Sequence, residues 1–202
     1  MTYAFIHPRQ AAPFACLASV ISILVSGEAS AEPIQWMVDH HRSSLTLSVQ
    51  AGGQLIEGRF GEWRAVIVFD EAKPEASVVD VQIDMPSLVL SVNQAETIAK
   101  GKDWLGVHAF PMARFHGAEF TVKTDGTYDV AGRLELKGSS QPVYLHVDLQ
   151  IDEDESHALV HTSILRDAFG VGQGDAARFV PDEIPISAEI WAVRSIPNGR
   201  AE

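Results

Sequence analysis

Cysteine is almost missing from this chain of 202 residues, with Cys16 the only one. It falls in an apolar N-terminal stretch, so the remainder has no disulfide framework and no thiol chemistry, and stability has to come from a packed core. Cations are scarce too: 15 Lys and Arg stand against 27 Asp and Glu, a formal net charge of −12. Without clustered cations to release counterions from phosphates, a nucleic-acid partner is disfavoured, as is tight docking on an anionic membrane surface. Catalytic signatures are lacking as well. There is no G-x-S-x-G elbow, no H-E-x-x-H, no Walker loop and no cysteine pair. Gly170-Val171-Gly172-Gln173-Gly174 is glycine-rich, but Pro181 and Pro185 follow where a dinucleotide fold would place its helix, so it reads as a loop.

The N-terminus has the layout of a secretory signal. Arg9 ends a short polar lead, Ala11 to Val25 is an almost uncharged apolar run, and Ala29-Ser30-Ala31 gives an A-x-A cleavage site. The run is short for a membrane span, which needs about 20 apolar residues. A retained anchor is the alternative reading. Pro13 stands three positions before Cys16, where a lipoprotein signal would carry an apolar residue, so Cys16 is expected to leave with the leader. Residues 1–31 are thus read as a cleaved signal peptide, removed after Ala31, and residues 32–202 as one exported, periplasmic domain.

From Glu32 onward, alternation with a period of two dominates, the mark of strands with one buried face. Leu45, Leu47 and Val49 alternate with Ser44, Thr46 and Ser48; Val79, Val81 and Ile83 alternate with Val78, Asp80 and Gln82. The cleanest case sets Val143, Leu145, Val147, Leu149 and Ile151 against Tyr144, His146, Asp148 and Gln150. Further strands are expected at 35–38, 55–60, 63–69, 114–123, 128–137, 157–166 and 184–194. Turn chemistry separates them, with Gly52-Gly53, Gly61-Glu62, Lys73-Pro74, Asp125-Gly126 and Gly138-Ser139. Many short strands at regular spacing predict an antiparallel barrel or a sandwich. One segment, Asn93 to Leu105, has helical spacing at Ala95, Ile98, Ala99 and Lys102 and predicts a short helix ended by Gly106, covering an end or edge.

Beyond the leader lie His40, His41, His108, His116, His146, His157 and His161. A zinc or copper site would need three or four donors around one point. His146, His157 and His161 lie on or near predicted neighbouring strands, but no cysteine or tight spacing motif joins them, so they read as surface or hydrogen-bonded residues and no metal or other cofactor is expected. Asp152-Glu153-Asp154-Glu155 lacks the spaced ligands of a calcium loop and reads as a solvated turn.

The order of features resembles the YceI-like, polyisoprenoid-binding family. Trp36-Met37-Val38-Asp39, then Ser43 and Leu45 to Val49, is similar to its opening D-x-x-H-S strand. Glu57-Gly58-Arg59-Phe60 running into Ala65 to Asp70 is similar to its G-x-F and I-x-F-D hairpin. Asp103-Trp104-Leu105 with Pro111 and Phe115, Val130 to Gly138 with Pro142-Val143, and Arg166-Asp167-Ala168-Phe169-Gly170 match further segments. Two departures stand out: Arg42 replaces the histidine before the serine, and Lys100-Gly101-Lys102-Asp103 lacks the usual R-D pair.

The resemblance implies an all-β fold, an eight-stranded antiparallel, lipocalin-like barrel with one short helix covering it. It also implies an isoprenoid, quinone-like lipid or other amphiphile enclosed in the lumen, a carrier and not an enzyme, with transient membrane contact and an oligomeric state left open between monomer and dimer. The candidate lining residues are Phe60, Trp63, Phe69, Trp104, Phe110, Phe115, Leu134, Leu136 and Phe169. Arg42, Arg114 and Arg166 are the candidate headgroup cations. The alternative is a ligand-free interaction module of the envelope whose own side chains fill the barrel.

Overall fold

The computed structural model describes Met1 and residues 34–195. The expected leader, apart from Met1, its cleavage point after Ala31 and the tail from Pro197 lie outside the described residues. Eleven strand segments form one sheet: β1 (Gln35–Val38), β2 (Ser44–Ala51), β3 (Gln54–Phe60), β4 (Trp63–Val68), β5 (Val78–Asp84), β6 (Leu88–Leu90), β7 (Met112–Val122), β8 (Tyr128–Leu136), β9 (Ser139–Asp152), β10 (Glu155–Leu165) and β11 (Glu183–Arg194). Among the described residues one α-helix, α1 (Asn93–Lys100), follows β6.

The eleven segments make eight staves, because three of the staves are kinked. Gln35↔Val68 pairs β1 with β4 while Thr46↔Arg59 pairs β2 with β3, so β1–β2 and β3–β4 run side by side through both their breaks. Trp63↔Ile83 and Gly58↔Leu90 join β3–β4 to β5–β6 in the same way. From β5 to β11 each stave pairs antiparallel with the next in sequence. Closure comes from β11, which pairs with β1 at Met37↔Val193 and with β2 at Leu47↔Ile186. An up-and-down barrel closed in this way has no free edge along its staves.

The first kink is fastened where β11 changes partner. Asp39 Oδ1 accepts the His41 N–H at 2.9 Å and Asp39 O accepts that of Arg42 at 3.2 Å, turning the chain. Ser43 Oγ then accepts the Trp191 N–H at 2.9 Å, and Asp39 N–H donates to Trp191 O at 2.8 Å. Two hairpins are as tight as an antiparallel pair allows. Gly52 and Gly53 have φ of 58° and 83°, and Lys137 and Gly138 have φ of 49° and 78°, the positive-φ pair that matches the twist of the flanking strands.

The two barrel ends differ. One holds the connections 69–77, 123–127 and 153–154, and inside it Trp36, Phe69, Tyr128 and Ala192 form a buried cluster. The other carries α1 and the connection 166–182. The helix is shorter than its sequence pattern predicts. It ends at Lys100 because Gly101 leaves the helical region at ψ 164°, and Trp104 and Leu105 then sit in turns, with Leu105 N–H bonded back to Ala99 O at 2.9 Å. Three residues long, β6 was too brief to show alternation. Among the described residues no helix is long and apolar enough to cross a membrane.

Candidate functional site

Alternation along the staves lines the inside of the barrel with apolar side chains, and they do not fill it. Two chambers remain. One of about 200 Å³ lies toward the Trp36–Phe69–Tyr128 floor, and one of about 420 Å³ lies under α1 and the 166–182 connection. Leu45, Ile83, Leu134, Ile164 and Ile186, from five different strands, border both chambers and form a waist between them. The free space has a local cause: several inward positions of β10 and β11 hold small side chains, Ser156, Ala158 and Ala188, which leave the floor chamber unfilled.

Polar atoms along this wall are turned away from the cavity. Ser156 Oγ donates to Ala192 O at 3.4 Å, Thr162 Oγ1 to Tyr144 O at 2.7 Å, and Trp36 Nε1 to Phe69 O at 3.0 Å. Burial, with the Glu71 carboxylate adding to it, pushes the Tyr128 hydroxyl above the usual phenol range, so it stays uncharged. Both chambers therefore offer a dry apolar wall, the kind of surface that stays free of water and takes an apolar guest.

Most of the lining candidates reach this space. Trp63, Phe69 and Phe115 border the floor chamber, Phe60, Trp104 and Leu136 the helix-end chamber, and Leu134 both. Phe169 is buried in the core without bordering either chamber. Phe110 is exposed and lies over Gly138 at the rim of the barrel, because the turn after α1 carries it outside.

The three arginines are placed otherwise than a headgroup site needs. Arg42 sits on the outer surface, paired with Glu155 and stacked on Trp191 at 3.8 Å from the ring centre. Arg114 faces outward from β7, one position out of phase with the inward Ala113 and Phe115. Arg166 does border the helix-end chamber, but its guanidinium is committed to its own loop. Nε donates to Pro181 O at 3.0 Å, Nη1 to Asp167 Oδ1, Val171 O and Gly172 O at 2.6, 3.1 and 3.2 Å, and Nη2 to Val180 O and Ala177 O at 3.2 and 3.4 Å. These six contacts account for all five of its N–H donors.

The histidines stand on the outer face. His116 Nδ1 meets Asp80 at 2.7 Å, His146 Nδ1 meets Asp129 at 2.6 Å, and His157 Nε2 meets Glu189 at 3.0 Å. Lys123 and His146 together hold the Asp129 carboxyl below the usual carboxylate range. His146 and His161 are direct cross-strand partners, yet among the described residues no group of three or more His, Cys, Asp or Glu is placed to hold a metal ion. Among the described residues one histidine–hydroxyl pair that the sequence did not reveal is present: His161 Nδ1 lies 3.2 Å from Ser187 Oγ. It stands on the exposed face and borders neither chamber.

Sequence reasoning missed most of the wall. The waist residues other than Leu134, the floor residues Trp36, Phe120 and Tyr128, and the alanines of β10 and β11 were all available from the same parity rule that picked out Val143 to Ile151. Alanines draw no attention in a search for contacts, though here their smallness makes the cavity.

The sequence model of the YceI-like domain matches residues 36–192. A UPF0312 protein of Pseudomonas savastanoi is 29% identical over 134 residues, covering 65% of this chain and 69% of the relative. The crystal structure of Burkholderia cenocepacia BcnA superposes with a TM-score of 0.73 at 27% identity, over 78% of this chain and 100% of that one. A Saccharophagus degradans domain described as polyisoprenoid-binding and implicated in plant cell wall breakdown gives a TM-score of 0.60 over 81% of this chain and 99% of its own, and at 12% identity it shares the fold alone. The closed barrel of eight staves, its apolar lumen and the match from Trp36 to Ala192 together make this chain a member of the YceI-like domain family.

Proposed function

We propose that this protein is an exported carrier that sequesters or shuttles a long apolar lipid, an isoprenoid or a similar chain, in its lumen, and that it is not an enzyme. The observation that carries the reading is the pair of apolar chambers inside the barrel, which share the waist residues as a common wall. At about 24 cal/mol per Å³ of unfilled core, the floor chamber of about 200 Å³ alone would cost about 5 kcal/mol when empty. A chain entering it offsets that cost and adds about 0.8 kcal/mol for each CH₂ removed from water. A named polar contact is not required for such binding. The structural neighbour described as polyisoprenoid-binding agrees with an isoprenoid chain, and the N-terminal signal pattern agrees with a periplasmic place of work. Exposed Ile98 and Phe179 at the rim of the helix-end chamber suit brief contact with a bilayer during loading.

Filling the lumen tests this. Ala158→Phe places a ring in the floor chamber, whose wall also holds Phe69 and Phe115. The expected result is a folded protein that is as stable as the parent or more so and no longer quenches or shifts its Trp36 and Trp63 fluorescence on titration with a polyprenol. Unchanged binding by a folded Ala158→Phe chain contradicts a lumen site.

A further inference from the structure

Resting on the lumen reading above, we infer that the cavity is selective for an uncharged ligand: it takes an isoprenoid alcohol, ketone or hydrocarbon chain whole and discriminates against the phosphate or diphosphate of the same chain. Among the described residues bordering the two chambers, Arg166 is the only one with a charged side chain. A free guanidinium there would make an anion site. This one is 7% exposed, and each of its N–H groups already faces a carbonyl or the Asp167 carboxylate within 3.4 Å. An entering phosphate could gain an N–H from it only by stripping a carbonyl of the 166–182 connection, which would leave that buried acceptor unpaired.

Neither chamber replaces the missing cation. Ser156 and Thr162 turn their hydroxyls into backbone carbonyls, and Trp36 donates its indole N–H to Phe69 O. At the floor, Tyr128 has the Glu71 carboxylate for a neighbour, and an anion placed there would meet like charge. At the helix end Lys100 is paired with Glu96 and Lys137 donates to Gly170 O, while Arg178, stacked over Phe179 at 4.8 Å, and Lys102 stand in solvent, where their attraction is screened. A charged head is left with two poor choices: it enters a wall with no partner for it, or it stays outside and holds part of a short chain out of the lumen with it.

Farnesol and farnesyl phosphate separate these cases, because the chain is the same and is short enough to be enclosed. Each is titrated into the folded protein while the fluorescence of Trp36, Trp63 and Trp104, which border the lumen, reports binding. Farnesol is expected to bind at least about tenfold more tightly, since burying an unpaired charge is far costlier than burying a hydroxyl. Equal or tighter binding of farnesyl phosphate overturns the selectivity while leaving the lumen site standing. If neither farnesol nor the longer geranylgeraniol binds, the lumen reading itself falls, and this inference with it.

Discussion

At the residue scale, two positions within segments that carry the family resemblance, Gly132 and Arg166, act as shaping elements of the barrel. Gly132 faces Gly117 across β7 and β8, and the Phe115 ring lies over both. A Cβ on Gly132 would fall on the carbonyl oxygen of His116 and come within 2.5 Å of that ring, so Phe115 can lie along the wall only because both positions are bare. Gly132→Ala is expected to destabilise by about 2 kcal/mol in urea unfolding. Gly61→Ala, where the nearest atom would be 3.6 Å away, should stay within about 0.5 kcal/mol of the parent. Arg166 is the second case. Replacing it with Met leaves the carbonyls of residues 171, 172, 177, 180 and 181 without their shared donor. The expected cost is about 3 kcal/mol, seen as a lower urea midpoint in the ligand-free protein. An Arg166→Met chain as stable as the parent would return this residue to the headgroup role that the sequence suggested.

At the scale of elements, α1 packs Ala95 and Ala99 on the core and is tied to β6 by one polar side chain. Glu96 accepts the Leu90 N–H through Oε2 at 3.0 Å and the Lys100 ammonium through Oε1 at 2.8 Å, tying helix to β6. Both contacts, Lys100 first, hold its carboxyl below the usual range. A carboxyl lowered in the folded state adds stability above its unfolded value and loses it as pH falls through the folded value. The Leu90 amide resonance should therefore titrate with a midpoint below the ordinary glutamate value of about 4.3, and a Glu96→Gln chain should lose that titration. A midpoint at the ordinary value would mean that the helix is not held this way. The staves themselves were legible because inward and outward positions alternate cleanly from β7 to β11. Their kinks were not, since a break such as 39–43 is defined by where β11 changes partner, a fact of the far end of the chain. The opening Asp-to-Ser motif was visible in the sequence, and its work as the clamp on Trp191 became visible only in the folded barrel.

At the scale of the molecule, the closed ring of staves accounts for both stability without disulfides and the presence of a cavity. Eight staves enclose a lumen wide enough to be filled by side chains or to hold a guest, and sequence periodicity cannot choose between them. The choice is made by volumes summed around the lumen: Phe69, Phe115 and Trp63 share the floor chamber with the small Ser156, Ala158 and Ala188, and the sum falls short. The charged exterior, with His116, His146 and His157 each on a carboxylate, leaves the lumen as the region where apolar surface is concentrated and unfilled. The most direct measurement is lipid extraction and mass spectrometry of the folded protein isolated from its native host. A long, uncharged apolar lipid, close to one per chain, is the predicted result. Protein that comes out lipid-free at full occupancy of the fold, and takes up no chain when offered one, would contradict the carrier reading.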